Sequence, residues 1–293
     1  MVVEAYLEAN APLSEVRVMR TADAGEAYMP EEVAVEGAEV VVQRLDDQGG
    51  VAERVPYAET DSTAGLYAPE ASVPTRPEAQ YRLRVTPPGG EPVTAVTTVP
   101  GTTTPVRTAN DTTTYPVEDR SGAPQFSLTV DPGPTTADRQ NVYVLTSRSL
   151  LDFQNTPDTT LQRLLTPFYQ EDFDAEDDTL ASQRVNSSGL LNEANFTRND
   201  DGTVTIRLPW LAVAFYGPNR VSASVVDDNY YDFLRTQSAQ QMGLAPGEVP
   251  NVIEHVDGGT GVFGSYARAD TVAFIRPPEA LFPGGLPEEF PGL

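Results

Sequence analysis

Cysteine and lysine are both missing from this chain of 293 residues. Without cysteine there is no disulfide, no thiolate metal site and no cysteine nucleophile. Histidine occurs once, at His255, and tryptophan once, at Trp210. A zinc site on one histidine would have to recruit several carboxylates. No apolar run approaches the roughly 18 residues that cross a bilayer as a helix, and no secretory leader is present. Met1 leads straight into VVEAYLEA, which fits a natural start or a chain trimmed of its leader.

What is plentiful points elsewhere. Asp and Glu number 43 against 19 basic residues, all arginine, for a net charge of −24. Such a surface repels phosphate backbones, which argues against nucleic acid as a partner. It suits a high-salt, halophilic habitat, where ions screen the self-repulsion; a GC-rich genome would also favour arginine over lysine. Val and Thr recur, glycine and proline are common (22 and 26), and long helical patterns are few, which favours β-sandwich or barrel architecture.

Residues 1–99 alternate in the manner of about seven short strands separated by turns, the pattern of an immunoglobulin-like β-sandwich. Val2–Glu8 places Val3, Ala5 and Leu7 on one face; Gln80–Thr86 does the same with Tyr81, Leu83 and Val85. The turn at Asp46–Gly50 joins a hairpin. Residues 100–120, rich in Thr and Pro, read as an interdomain linker. A second β-rich domain is expected over 121–275, with an irregular insertion at 149–195, a helix over 228–242 capped by Asp228 or Asn229, and a last strand at 271–275. Residues 276–293 form a Pro/Gly-rich tail.

The candidate chemistry is sparse. Gly258-Gly-Thr-Gly261 resembles a phosphate cradle, but a helix precedes it, a strand follows, and no lysine is available. The stretch reads instead as a tight connection needing positive φ, with Val262 and Phe263 plugging the core. His255, beside Glu254 and Asp257, is read as an ordinary polar residue over a base or ligand, since no G-x-S-x-G elbow accompanies it. In EDFDAEDD (171–178), Asp172, Asp174 and Glu176 alternate like calcium ligands without the required glycine, so a solvated acidic loop is the simpler account. Asn186-Ser-Ser188 matches a glycosylation sequon. Trp210, Tyr216 and Tyr230 are candidate ligand-contact aromatics within an aromatic set that core packing also explains. No catalytic residue and no cofactor are expected.

The helix NYYDFLRTQSAQQ, the step PNVI and then GGTGVFGSYARADTVAFI resemble the C-terminal signature of an uncharacterised Bacteroidetes surface-lipoprotein family with a domain of unknown function, often encoded beside TonB-dependent receptors. VVEAYLEANAPLSEVRVMRT, VEGAEVVVQRLDDQGG, GLYAP and QYRLRVTPPGGEPVTAVTTVP resemble its first β domain in order, so the likeness runs over residues 2–275. Asn251, Gly258, Gly259, Gly261, Val262, Phe263 and Gly264 form its structural signature. The resemblance implies a non-enzymatic cell-envelope protein at the outer membrane or cell surface, with a TonB-dependent receptor as partner and a lipid anchor as its only membrane contact; the signal peptide and lipidated cysteine of the family are not in this chain. Two other classes remain open: an extracellular hydrolase with its site in 149–195, and a structural or adhesive surface module.

Overall fold

A computed structural model describes residues 1–21, 29–108, 112–116, 126–133, 140–172, 179–241 and 253–279. The chain is mainly β. Its strands are β1 (Val2–Glu8), β2 (Val16–Met19), β3 (Glu39–Leu45), β4 (Val51–Glu59), β5 (Leu66–Pro69), β6 (Gln80–Thr86), β7 (Val93–Thr98), β8 (Thr104–Thr108), β9 (Thr112–Thr114), β10 (Phe126–Asp131), β11 (Val142–Ser149), β12 (Val185–Ser187), β13 (Leu191–Asn192), β14 (Thr197–Arg198), β15 (Val204–Leu208), β16 (Gly217–Val226), β17 (Val256–Asp257) and β18 (Thr260–Arg276). The helices are α1 (Pro30–Val33), α2 (Asp158–Arg163), α3 (Pro167–Asp172) and α4 (Asp228–Gln241).

The chain divides into two compact units. The first comprises Met1–Thr102, Gly133–Val142 and Val225–Arg268; the second comprises Thr103–Pro132, Tyr143–Ser224 and Ala269–Leu293. The stretch read as a linker therefore carries β8 and β9, because Thr-rich segments fit a half-buried pleated surface as readily as a loop.

In the first unit the strands run in the order β18-β1-β2-β5-β4-β3-β6-β7-β17. Their inward residues share one core: Val3, Ala5 and Leu7 of β1 meet Val40 and Val42 of β3, Leu83 and Val85 of β6, Val93 of β7 and Phe263 of β18. The two ends of this order are neighbours in the chain. β17 pairs with β7, β18 pairs with β1 in parallel, and Gly258-Gly259 joins them. The glycine stretch is thus a turn followed at once by a strand. The strand starts at Thr260, earlier than the expected residue 271, because β1 offers it a full ladder from Val2↔Thr260 to Glu8↔Tyr266. Glycine is a poor strand former, but side chains would not fit here. A Cβ on Gly259 would lie 2.8 Å from the Met1 carbonyl oxygen, and Gly258 has φ +77°. Val262 and Phe263 are buried.

In the second unit β14-β15-β10-β8 form one sheet, with Thr129 and Thr205 hydroxyls 3.0 Å apart across β10 and β15. β12, β11, β16 and the far half of β18, with β9, supply further strands. The hairpin turn at Asn199–Gly202 closes with Asn199 N–H donating to Thr203 O at 2.8 Å. Leu161, Leu164 and Leu165 pack with Tyr115, Trp210, Phe215 and Tyr216 in one cluster. Pro167 begins α3, as proline at a first helical position allows.

Candidate ligand-binding site

β1 buries Val3, Ala5 and Leu7, so Glu4, Tyr6 and Glu8 stand on its outer face by simple alternation. Parallel pairing sets Gly264 beside Tyr6 and Tyr266 beside Glu8. Gly264 leaves room for α4: a Cβ there would come within 2.8 Å of the Tyr230 Cβ. The Tyr230 ring consequently lies 4.7 Å from the Tyr6 ring and 6.4 Å from the Tyr266 ring. Tyr6 Oη donates to Glu4 Oε1 at 3.3 Å, and Tyr266 Oη donates to Glu8 Oε2 at 3.0 Å. Arg268 holds the other Glu8 oxygen at 2.9 Å. Burial raises all three tyrosine hydroxyls above their ordinary range, and the neighbouring glutamate charges add to this. They stay neutral donors at physiological pH.

Beside this row the sheet opens. β1 and β2 pair only from Val2↔Met19 to Glu4↔Arg17, and then diverge. Ser14 Oγ takes up the Tyr6 carbonyl at 2.7 Å. Along β1, β2 and β5 at this point lies an open cleft of about 420 Å³, walled by Glu4, Ala5, Tyr6, Ser14, Glu15, Arg17, Met19 and Leu66. That volume is in the range of small-molecule sites, about 300–1,000 Å³.

A second, smaller cleft of about 150 Å³ sits at the start of α4, with Gln80, Thr98, Asn141 and Asp228 among its walls. Its floor is Asp227, a buried carboxylate. Asp227 Oδ1 accepts from the Tyr230 and Ser265 backbone N–H groups, each at 3.0 Å, and Oδ2 accepts from Thr97 Oγ1 at 2.5 Å. Ser265 Oγ lies 2.8 Å from Thr97 Oγ1. Asn229 then donates to Val96 O at 2.7 Å and Phe263 O at 2.8 Å, tying β7 to β18. Asp227, rather than the expected Asp228 or Asn229, is therefore the helix cap, because only its side chain also reaches Ser265 and Thr97. The acid is committed to the chain's own donors.

Burial pushes the Asp227 carboxyl above the usual carboxylate range, against the hydrogen bonds, which favour the charged form. The folded protein then holds a proton that the unfolded chain has released, in the window just above the ordinary carboxylate value of about 4. There the unfolded state binds fewer protons, so stability falls as pH rises. Urea melts should show the wild type gaining stability relative to Asp227→Asn as pH is lowered from 7 toward 4. A constant difference would contradict the assignment.

The residues singled out by sequence fall in different places. Tyr230 joins the outer tyrosine row. Trp210 and Tyr216 are core residues of the second unit, 5% and 1% exposed, packed around Tyr115 at ring distances of 5.0 and 5.7 Å. The aromatic richness that marked them is packing. Asp174, Glu176 and Asn251 lie outside the described residues, as does the side chain of Asp172, whose backbone ends α3. No metal-holding group of His, Asp and Glu occurs among the described residues. His255 Nε2 lies 2.9 Å from Asp232 Oδ2 on α4. The sequon amide of Asn186 donates to Leu211 O at 2.9 Å and to Tyr169 Oη. In the 149–195 insertion, Asp152 accepts from Gln154 N, Asn155 N and Asn155 Nδ2, and this lowers its pKa. Tyr6, Arg17, Thr97, Asp227 and Ser265 carried no motif. Only the alternation of β1 and β2 placed the first two on an outer face. Among the described residues no helix is long and apolar enough to cross a membrane.

A mainly β protein with an open, tyrosine-bordered cleft on its first unit is the class these features define. The chain belongs to the family described as a domain of unknown function, DUF4249, whose pattern matches residues 1–271. No curated protein matches it. Among solved structures it is similar to Escherichia coli alpha-2-macroglobulin activated by porcine elastase, at 12% identity and a TM-score of 0.22, over 92% of this chain and 22% of that one. The trypsin-activated form from Escherichia coli gives 11% identity and a TM-score of 0.22, over 91% of this chain and 15% of that one. The chain thus spans only a small part of either protein's length.

Proposed function

We propose that the protein is a non-enzymatic component of the cell envelope, an accessory ligand- or receptor-binding lipoprotein of the Bacteroidetes type associated with a TonB-dependent outer-membrane transporter. The observation that carries this reading is the cleft between β1 and β2, where polar and aromatic side chains meet solvent without being used up by the fold. The order of sequence motifs from residue 2 to 275 supports the receptor association. The buried acid with the clearest altered ionisation, Asp227, is spent on capping α4 and tying β18 to the core, which favours binding over catalysis. The acidic, lysine-free composition suits an extracellular face in high salt.

The test is affinity capture from solubilised outer membranes with the full-length lipidated protein, the retained proteins being identified by mass spectrometry. A TonB-dependent β-barrel receptor should be enriched over a capture made with an unrelated lipoprotein. Equal recovery in both would overturn the association.

A further inference from the structure

We infer that the cleft between β1 and β2 is a binding site for a zwitterion of the α-amino-acid or short-peptide type. This deepens the binding reading given above and rests on it. Glu4 and Arg17 are direct cross-strand partners, so both project from the same outer face of the sheet. Neighbours of opposite charge at such a spacing, about 5 Å between Cβ atoms, commonly pair. Here they do not. Among the described residues Arg17 makes no ion pair, and Glu4 accepts only from Tyr6 Oη at 3.3 Å. Glu15, just before β2, also lines the cleft and is exposed, and it too is in no ion pair among the described residues. The cleft thus offers one guanidinium between two carboxylates, each with unused bonding capacity.

A simple cation would meet Arg17 repulsively, and a simple anion would meet Glu4 and Glu15. A ligand carrying both charges a few ångströms apart satisfies the whole set. Its carboxylate takes the planar fork of Arg17, which suits bidentate contact. Its ammonium falls between Glu4 and Glu15. Of the remaining walls, Ser14 is committed to the Tyr6 carbonyl, and Ala5, Tyr6, Met19 and Leu66 are apolar or aromatic and receive the ligand's side chain. Tyr6 is fixed for this task by the Tyr230 ring at 4.7 Å, which α4 brings over Gly264. Each element that builds the site is anchored elsewhere: β1 in the parallel ladder to β18, and Ser14 to the Tyr6 carbonyl and the Tyr57 hydroxyl.

The experiment is isothermal titration of the whole protein with the standard amino acids singly and with leucyl-leucine, at millimolar concentration and low salt. The best of these is then compared with its N-acetyl and amide derivatives. Saturable binding is expected for at least one zwitterion, with a loss of tenfold or more on removing either ligand charge. Arg17→Ala and Glu4→Gln should each weaken it at least tenfold while leaving the thermal midpoint unchanged. No saturable binding by any probe overturns the inference, as does equal binding of the capped derivatives or of both variants. If a variant shifts the thermal midpoint, the capped-ligand comparison on the wild type decides. Receptor capture is a separate readout: it can succeed while zwitterion binding fails, and the reverse.

Discussion

Gly261→Ala is expected to destabilise the protein by about 4 kcal/mol, through backbone strain and overpacking of about 1–3 kcal/mol each with the loss of neighbouring ladder bonds added. Gly261 has φ +113°, and a Cβ there would sit 2.0 Å from the Val3 carbonyl oxygen. That atom is main chain, held in the parallel ladder between β1 and β18, and has no flexible side chain to yield. Either β1 moves away or β18 slips. Gly202 is the proper comparison: its φ is +86°, but a Cβ there meets nothing within 4 Å. Gly202→Ala should therefore cost only its φ strain, about 1 kcal/mol. Urea denaturation of both variants separates the two effects, and equal midpoints would mean that the close approach to Val3 has no energetic weight.

Asp227→Ala should cost about 3–5 kcal/mol, since several buried donors lose an acceptor at about 1–3 kcal/mol each and such losses do not add fully. The Tyr230 N–H, the Ser265 N–H and the Thr97 hydroxyl all point at this carboxylate. Removing it uncaps α4 and frees the β18 backbone at Ser265 together. Asp228→Ala, one residue on and exposed at the surface, should shift the urea midpoint far less. If the two substitutions were equivalent, the cap would belong to the helix alone and the tie to β7 and β18 would carry no stability.

Much of the first unit can be read from alternation. β1 and β6 span the residues that period-two patterning assigns to them, because each has one face in the core and one turned away from it. The turns at Asp46–Gly50 and Asn199–Gly202 follow from Asp46 and Asp201 carboxylates accepting from nearby backbone N–H groups. What alternation cannot supply is the partner of a strand. Val2 and Thr260 pair from opposite ends of the chain, and nothing local to either segment records the other. Gly261 and Gly264 also lower the strand propensity of 260–264, though they are there for the close approach of Val3 and Tyr230. The choice between Asp227 and Asp228 as cap is likewise tertiary: both residues suit the position, and Ser265 and Thr97 decide it. The tyrosine row was half legible, with Tyr230 visible in the helix and Tyr6 hidden in an ordinary strand. Trp210 shows the converse, since rarity and aromaticity drew attention to a residue whose work is to fill a core.

The central proposal is that the binding face lies on the first unit. Hydrogen exchange of the protein with and without its captured receptor or ligand measures this directly. Slowed exchange should concentrate in residues 2–8, 14–19 and 260–268. Slowing confined to 149–195, with those strands unchanged, would contradict it.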